Sequence, residues 1–436
     1  MKKNYLYTIF ILSYTLLNSL VLKAQNNVFL NKGIFQIENQ TILSSYSNFI
    51  NDSKGQLIND GEIHYYRTVT NHGLFSFSKR LTSGKVYFFS DNGTNQVIEG
   101  DNRFEFNNLS FNTNQKEVFF DLKANIDIWG ALDFKHGIIK VDSTKNNTTN
   151  LTKGMISFMP NASHINASNL SFIEGEAEKI GATEFVFPIG AKGIVRPLKI
   201  SASGAEKNIY QAKYTVGDKA FFDKNKAKSG IINQVNEREY WTVLKGKDNA
   251  EKDIKLTLSW DEAVTPLELL QDPETELHIV RWDDKQQLWV DEGGAVDMST
   301  KEVTTISTVK GYGYFTLATI KKNWLLDGDV VIYNLVTPDG DGKNDYFLID
   351  NINKYPNNRV EIYNRWGIKV YETTQYDSNG DGSMNVFKGY SEGKITVDKS
   401  KKLPSGTYYY VLTYEYKDAN GSRMIKKAAN LHVETN

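Results

Sequence analysis

The chain of 436 residues contains no cysteine. This absence excludes disulfide bonds, thiolate metal sites, a nucleophilic thiol and a lipidated N-terminal cysteine. A protein without such covalent supports must be stabilised by its hydrophobic cores, and the length suffices for two or three domains. The 24 tyrosines, 23 phenylalanines and a hydrophobic share of 40% indicate a globular protein.

An excess of charge of either sign is also absent, since 51 Lys and Arg residues are balanced by 52 Asp and Glu residues. Proteins that bind nucleic acids or anionic membranes through long-range attraction carry a basic surplus. The sequence therefore predicts no nucleic-acid partner.

Common catalytic motifs are missing as well. The sequence has no His-Glu-x-x-His, no Gly-x-Ser-x-Gly and no Gly-x-x-x-x-Gly-Lys-Ser/Thr phosphate loop. Its six histidines are scattered. Adjacent carboxylates such as Asp283 and Asp284 point to opposite faces of a strand, so they do not converge. We therefore predict no catalytic residue and no cofactor-binding residue from motifs.

Long uninterrupted apolar runs are absent too, even at the N-terminus. Lys2 and Lys3 precede an apolar stretch from Tyr5 to Leu22 that Ser13 and other polar residues interrupt, and Ala24 follows. A bilayer span needs about 20 consecutive apolar residues. We predict that residues 1–24 are a signal peptide cleaved after Ala24, leaving no transmembrane anchor, and that export begins through the Sec pathway. A retained membrane anchor is the alternative.

Alternating apolar and polar residues predict an all-β, multidomain protein, with one helical turn at Leu267 to Leu270. Residues 25–184 repeat a unit of short strand, Asn or Gly, and short strand, as at Asn59-Asp60-Gly61. Such spacing fits stacked rungs whose corners need the positive φ that Gly and Asn tolerate. An antiparallel sandwich with Asn-Gly turns gives a similar pattern. Both a β-helix-like solenoid and a sandwich therefore remain open for this region.

Residues 185–320 have strands at regular spacing, which predict a β-sandwich of about seven strands. Trp260, Trp282 and Trp289 are expected in its core, and an aromatic sugar-binding platform is the alternative. Residues 321–330 form a short linker, and residues 331–436 form the last domain.

Three blocks mark that last domain, and together they resemble a known family. The blocks are Thr337-Pro338-Asp339-Gly340-Asp341-Gly342-Lys343-Asn344-Asp345, Asn364-Arg365-Trp366-Gly367 and Leu403-Pro404-Ser405-Gly406-Thr407-Tyr408-Tyr409. In this order near the C-terminus they resemble the gliding motility-associated C-terminal domain, the type B sorting domain of Bacteroidetes proteins exported by the type IX secretion system. Asp339 occupies a place often held by Asn in that family.

The resemblance implies an Ig-like β-sandwich that acts as a sorting signal. It further implies binding to the type IX secretion machinery and to an outer-membrane partner protein. The expected location is the cell surface or the extracellular space.

Two Gly-spaced turns are rich in oxygen ligands and are candidate Ca²⁺ sites. Asp377, Asn379 and Asp381 match the first half of a calcium loop, but Lys388 stands where a bidentate Glu would complete it. The other turn offers Asp339, Asp341, Asn344 and Asp345. Asp-Gly turns of this kind are also common as solvated turns without metal.

Two functions remain open for the region before the last domain. One is a non-catalytic adhesive or structural surface with a glycan or surface ligand, consistent with the repetitive strands. The other is a secreted polysaccharide-active enzyme with a β-helix groove, whose carboxylates come from separate rungs and so form no motif.

Overall fold

The computed structural model describes residues 28–435 except for residues 92, 116–117, 143–153, 251–252, 310, 322–329, 392–401 and 419–420. The predicted signal peptide and most of the predicted linker lie outside the described residues. Strands make up 51% of the structure and helices 5%, so the all-β prediction is confirmed.

The N-terminal region is a β-solenoid of three parallel sheets, so the stack of rungs is confirmed and the antiparallel sandwich is wrong here. The chain visits each sheet once per rung. Sheet 1 contains β1 (Val28–Asn31), β4 (Asn48–Asn51), β7 (Val69–Asn71), β10 (Gln96–Gly100), β13 (Phe119–Lys123), β16 (Ile138–Val141) and β19 (Ile173–Glu174). Sheet 2 begins with β2 (Ile34–Ile37), β5 (Gln56–Asn59), β8 (Leu74–Ser76), β11 (Phe104–Phe106), β14 (Asn125–Ile128), β17 (Met155–Phe158) and β20 (Ala177–Ile180). Sheet 3 contains β3 (Ile42–Ser45), β6 (Glu62–Tyr65), β9 (Lys85–Ser90), β12 (Asn108–Thr113), β15 (Ala131–Phe134) and β18 (Ser163–Ile165).

Aromatic side chains fill the interior of the solenoid. Phe75 is buried between its neighbours, with its ring centroid 5.2 Å from that of Phe104 and 5.3 Å from that of Phe106. Phe88 and Phe111 continue the stack at 5.4 Å. Rings at these separations and tilts attract each other beyond the area they bury. The stack sets the rungs in register along the solenoid axis.

A buried asparagine ladder fixes one corner of the solenoid. Asn31 donates to Asn51 at 2.9 Å, and Asn51 donates to Asn71 at 2.8 Å, each pair being 20 residues apart. Asn51 also donates to the carbonyl of Leu74 at 2.9 Å. A Cβ at Gly73 would lie 2.2 Å from the carbonyl oxygen of Gly55, so the corner needs glycine there. The ladder satisfies corner polar groups that would otherwise be buried without partners.

The last rung joins the solenoid to the middle region. β20 pairs antiparallel with β25 (Ile209–Val216), so sheet 2 continues as one sheet of 13 strands. Its further strands are β27 (Glu239–Lys245), β33 (Gly313–Ile320), β29 (Leu277–Asp283), β30 (Leu288–Gly293) and β26 (Ile232–Val235). A second antiparallel sheet contains β21 (Phe185–Phe187), β24 (Leu198–Ile200), β28 (Leu256–Ser259), β32 (Glu302–Thr304) and β31 (Ala295–Asp297), and β22 (Gly190–Ala191) pairs with β23 (Ile194–Val195).

Residues of both sheets of the middle region share one hydrophobic core with the solenoid. Trp260 belongs to this core, while Trp282 and Trp289 lie opposite each other on β29 and β30 in a second cluster. All three side chains are buried, which agrees with the core interpretation. Helices are short, at Lys219–Lys224 and Pro273–Glu276, with 3-10 turns at Leu267–Leu270 and Ile352–Lys354. None of the helices among the described residues has the length and apolar character needed to cross a membrane.

The C-terminal domain is built on a mixed sheet of five strands. Its strand order is β35 (Leu335–Val336), β40 (Gly421–Val433), β39 (Gly406–Asp418), β37 (Asn358–Tyr363) and β38 (Lys369–Thr374), and β34 (Val331–Ile332) pairs with β36 (Ile349–Asp350). Tyr408, Tyr410, Leu412 and Tyr414 alternate along β39 and line the core on one face, because successive side chains of a strand point to opposite faces.

We expect replacement of Asn51 by Ala to loosen the solenoid, because the partners of its amide on both neighbouring rungs lose hydrogen bonds. Buried groups left unpaired cost about 1–3 kcal/mol each, so we expect a loss of about 2–4 kcal/mol. Hydrogen exchange of the amides in Asn48–Asn51 and Val69–Asn71 measures this loss. The same substitution at Asn48, whose side chain is exposed, is the control. Equal exchange in the two variants would contradict a stabilising ladder.

Candidate functional site

The strand register brings the three motif blocks to one end of the C-terminal sheet. Val336, the last residue of β35, pairs with Val433, which in turn pairs with Gly406 at the start of β39. Tyr363, the last residue of β37, pairs with Tyr409. The first block follows β35, the second follows β37 and the third leads into β39. Segments up to about 70 residues apart in sequence therefore form one surface at this end of the sheet, called here the motif surface.

The second block forms a tight turn that presents a tryptophan. The side chain of Asn364 accepts from the backbone N–H of Trp366 at 3.0 Å and of Ile368 at 2.9 Å. Gly367 has φ +73°, a conformation that costs glycine little. The Trp366 side chain is 70% exposed, and the Arg365 guanidinium lies 4.3 Å from its ring centroid. A rigid turn therefore holds a large aromatic side chain in solvent.

The third block turns the chain into β39 and contacts the first. Tyr408 donates its hydroxyl to the carbonyl of Pro404 at 2.9 Å, and Leu403 donates its N–H to Gly389 at 2.7 Å. Lys402, just before the block, donates to the carbonyl of Pro338. The bond from Lys402 therefore connects the start of the third block to the first block.

The first block brings three of its carboxylates together. Oxygen atoms of Asp339, Asp341 and Asp345 all lie within 4.8 Å of one another. Asp345 accepts from the N–H groups of Gly340 at 2.6 Å and Gly342 at 2.8 Å, which orient it toward the turn. Asn344, the fourth predicted ligand, adopts φ +53°. Clustered carboxylate oxygens are the ligands that Ca²⁺ prefers.

The second predicted calcium loop has an ordered first half. Asp377 is buried and accepts from the N–H groups of Asp381 at 3.1 Å and Gly382 at 2.9 Å. Asn379 donates to Ser383 at 3.0 Å. Hydrogen bonds from Ser383 lower the pKa of Asp381. This loop is thus held by its own hydrogen bonds, and the two loops meet at Tyr346, against which Gly382 packs.

A comparison with known families decides the nature of this domain. Residues 330–427 match the CHU_C type IX secretion signal domain. The chain therefore carries a type IX secretion signal, which indicates export to the cell surface or the extracellular space and interaction with the secretion machinery. Neither a search of curated proteins nor a search of solved structures found a match to the chain. The match covers the signal domain and does not extend to the solenoid or the middle region.

The solenoid has a row of carboxylates that motif reasoning missed. On the outer face of sheet 2, Glu105 pairs with Asp127, Asp127 with Ser157, and Ser157 with Glu178. The row ends at Gln211 of the middle region. The available signal was an acidic residue between two apolar ones, as in Ile126-Asp127-Ile128, but only the register shows that such residues align.

The carboxylates of this row differ in environment. Asp127 is buried, and desolvation raises its pKa although Arg103 forms an ion pair with it. Glu105 forms an ion pair with Lys79 at 3.1 Å. Glu178 accepts from Ser157 and Gln211, each at 2.8 Å. A carboxyl with a raised pKa is a feature that acid–base catalysis uses, and ion-pair networks on structural surfaces also shift carboxyl pKa values.

A strip of aromatic rings covers part of the outer face of sheet 3. The rings of Tyr46 and Tyr66 stack at 4.2 Å, and Phe89 extends the stack at 5.2 Å from Tyr66. Tyr87 lies 5.8 Å from Phe89. Tyr46, at the end of the strip, is 63% exposed. An ion pair between Arg67 and Asp91 flanks these rings, so apolar surface and hydrogen-bonding groups lie side by side.

We predict that Ca²⁺ stabilises the signal domain through the first block, because a cation relieves the repulsion among Asp339, Asp341 and Asp345. Calorimetry of the full chain should show a higher melting temperature of the signal domain in millimolar Ca²⁺ than in EDTA. The variant Asp341→Asn should lose most of this shift, whereas Asp381→Asn reports on the second loop. Identical melting in Ca²⁺ and EDTA would refute both sites.

Proposed function

We propose that this chain is an exported cell-surface or secreted protein whose signal domain is recognised through the motif surface. The observation that carries the proposal is the convergence of all three motif blocks at one end of a sheet in a domain that matches a type IX secretion signal. We further propose that residues 1–24 direct the chain into the Sec pathway. An outer-membrane partner protein is the expected receptor for the motif surface.

Trp366 is the side chain of the motif surface best suited to contact the machinery. Exposed aromatic residues on rigid supports supply much of the binding energy of protein interfaces, because their immobilisation loses little entropy. Its side chain contributes little to the folding of the signal domain, since 70% of it is exposed.

Export of the chain tests this role. We expect Trp366→Ala to lower the exported fraction about tenfold, the effect of removing one strong contact. Immunoblots of culture fluid, outer membrane and periplasm measure the distribution. A truncation before Trp324 should accumulate in the periplasm, and Met424→Ala, an exposed residue at the far end of the β39–β40 hairpin, should export normally. Normal export of Trp366→Ala would place recognition elsewhere, and normal export of the truncation would overturn the proposal itself.

We propose a non-catalytic adhesive or structural role for the solenoid. The aromatic strip of Tyr46, Tyr66, Tyr87 and Phe89 supports it, because contiguous exposed apolar surface beside polar groups is typical of interaction sites. Aromatic rings offer apolar surface to sugar rings, and the flanking charges offer hydrogen bonds to hydroxyl groups. A glycan or another surface polymer is therefore the proposed ligand.

The carboxylate row supports a second candidate function, hydrolysis of a polysaccharide. Glu105 and Asp127 are direct neighbours on adjacent strands, and glycosidases use two carboxyl groups that lie near each other. The raised pKa of Asp127 suits a general acid, and Glu105 would then be the nucleophile. The ion pairs with Arg103 and Lys79 favour the structural alternative, since both carboxylates already have partners.

One experiment on a glycan panel distinguishes the two candidates. For an adhesive solenoid we expect the chain to bind one or more glycans, Tyr46→Ala to weaken this binding about tenfold, and no reducing ends to appear. The control Tyr333→Ala removes an exposed tyrosine from the signal domain and should leave binding unchanged. If the chain releases reducing ends and Asp127→Asn abolishes this release, the enzyme is established instead. If the chain neither binds a glycan nor releases reducing ends, a purely structural role remains.

A further inference from the structure

The sheet of the signal domain is covered on both faces. Tyr408, Tyr410 and Leu412 point into the domain's own core, while Val411, between them on β39, points the other way. Val411 is 2% exposed, because it packs with Ala428 against Ile306 of the middle region. A side of the sheet that a free-standing domain would expose to solvent is therefore buried against the middle region.

The backbone of the middle region lies close to the signal domain at one glycine. Gly293, the last residue of β30, has φ +82°, and a Cβ placed on it would lie 3.2 Å from the Cβ of Ala428 and 3.4 Å from Ile306. Tyr363, from β37, completes the apolar contact and is buried. Packing this close matches that of a protein interior, in which small changes of volume are felt.

Two lysines at the edges of this apolar contact form hydrogen bonds between the middle region and the signal domain. Lys426 of β40 donates to Glu292 of β30 at 3.1 Å, and Glu292 is buried and also accepts from Arg281 at 2.9 Å. Lys255 of the middle region donates to the carbonyl of Gly367 at 3.4 Å, and its ammonium lies 5.2 Å from the ring centroid of Tyr363. Desolvation at this position lowers the pKa of Lys255 to about 8. Partly desolvated charge pairs fix the register of an interface and oppose its separation.

We infer that the middle region binds the signal domain and holds it by non-covalent contacts even when the chain between them is cut. The docking interface consists of Lys255, Glu292, Gly293 and Ile306 on one side and Tyr363, Gly367, Val411, Lys426 and Ala428 on the other. The inference deepens the proposed function: a peptidase that cleaves after export would leave the signal domain attached to the exported protein.

Cleavage of the purified full chain tests this inference. A site-specific protease sequence is placed within residues 322–329, which connect the middle region to β34, and the cut protein is passed over a size-exclusion column at micromolar concentration. We expect the two fragments to elute together at the position of the uncut chain. Separate elution of the two fragments of the unmutated chain would overturn the inference. This measurement does not depend on export. The proposed export is tested separately, by the periplasmic accumulation of the truncated chain.

Two substitutions, one on each side, test whether the docking interface holds the fragments. Ile306→Asp places an unpaired carboxylate among Val411 and Ala428, and Lys426→Glu opposes Glu292 with a like charge. We expect each to weaken retention at least tenfold. The controls Ile165→Asp on the solenoid and Lys417→Glu on β39 make the same changes at exposed side chains outside the interface and should retain the fragments. Retention in both interface variants would assign the contact to other residues and refute the interface described.

Discussion

The antiparallel pairing of β20 with β25 is the constraint on which the architecture depends. The end of a parallel solenoid exposes unpaired backbone groups that attract other strands unless something covers them. Here Ala177 to Ile180 pair in register with Ala212 to Ile209, so the edge of sheet 2 is continued by the middle region. The solenoid and the middle region therefore share one hydrogen-bonded sheet and one core, and neither is a separate body joined by a loose linker.

Within the middle region, a buried ion pair links the two sheets. Arg196, which precedes β24, donates to Glu239 of β27 at 2.9 and 3.0 Å, and both side chains are buried. Tyr214 and Thr265 each donate to the same carboxylate at 2.7 Å. A buried pair adds little net stability when complete, but removal of one partner costs about 3–5 kcal/mol because the other charge stays buried. The network thus specifies how the sheets face each other more than it adds to stability.

The sequence revealed local features of the fold well and long-range ones poorly. Segments such as Asn59-Asp60-Gly61 predict corners because the glycine and the asparagine act on adjacent backbone groups, and the tyrosine alternation of β39 predicts which face is buried. The carboxylate row was beyond such reasoning, because the rungs differ in length. Asp127 and its partner Ser157 are 30 residues apart, whereas Ser157 and Glu178 are 21 residues apart, so no fixed spacing identifies the row. The docking interface could not be predicted either, since the sequence of β39 does not indicate which segment packs against its second face.

The turn of the second block connects the two surfaces of the signal domain. Its Gly367 carbonyl is bound by Lys255 in the docking interface, while the Trp366 side chain next to it points into solvent. The motif surface lies at the end of the sheet and most of the docking interface lies on its face, and Gly367 belongs to both. Lys255 adds a contact to the backbone of the turn that carries Trp366, which the side chain of Asn364 also holds, and under the proposed function this support would keep the turn in place before a receptor binds. Ordering in advance lowers the entropic cost of binding. In the proposed recognition, the middle region would therefore contribute by supporting the turn, without contacting the receptor itself.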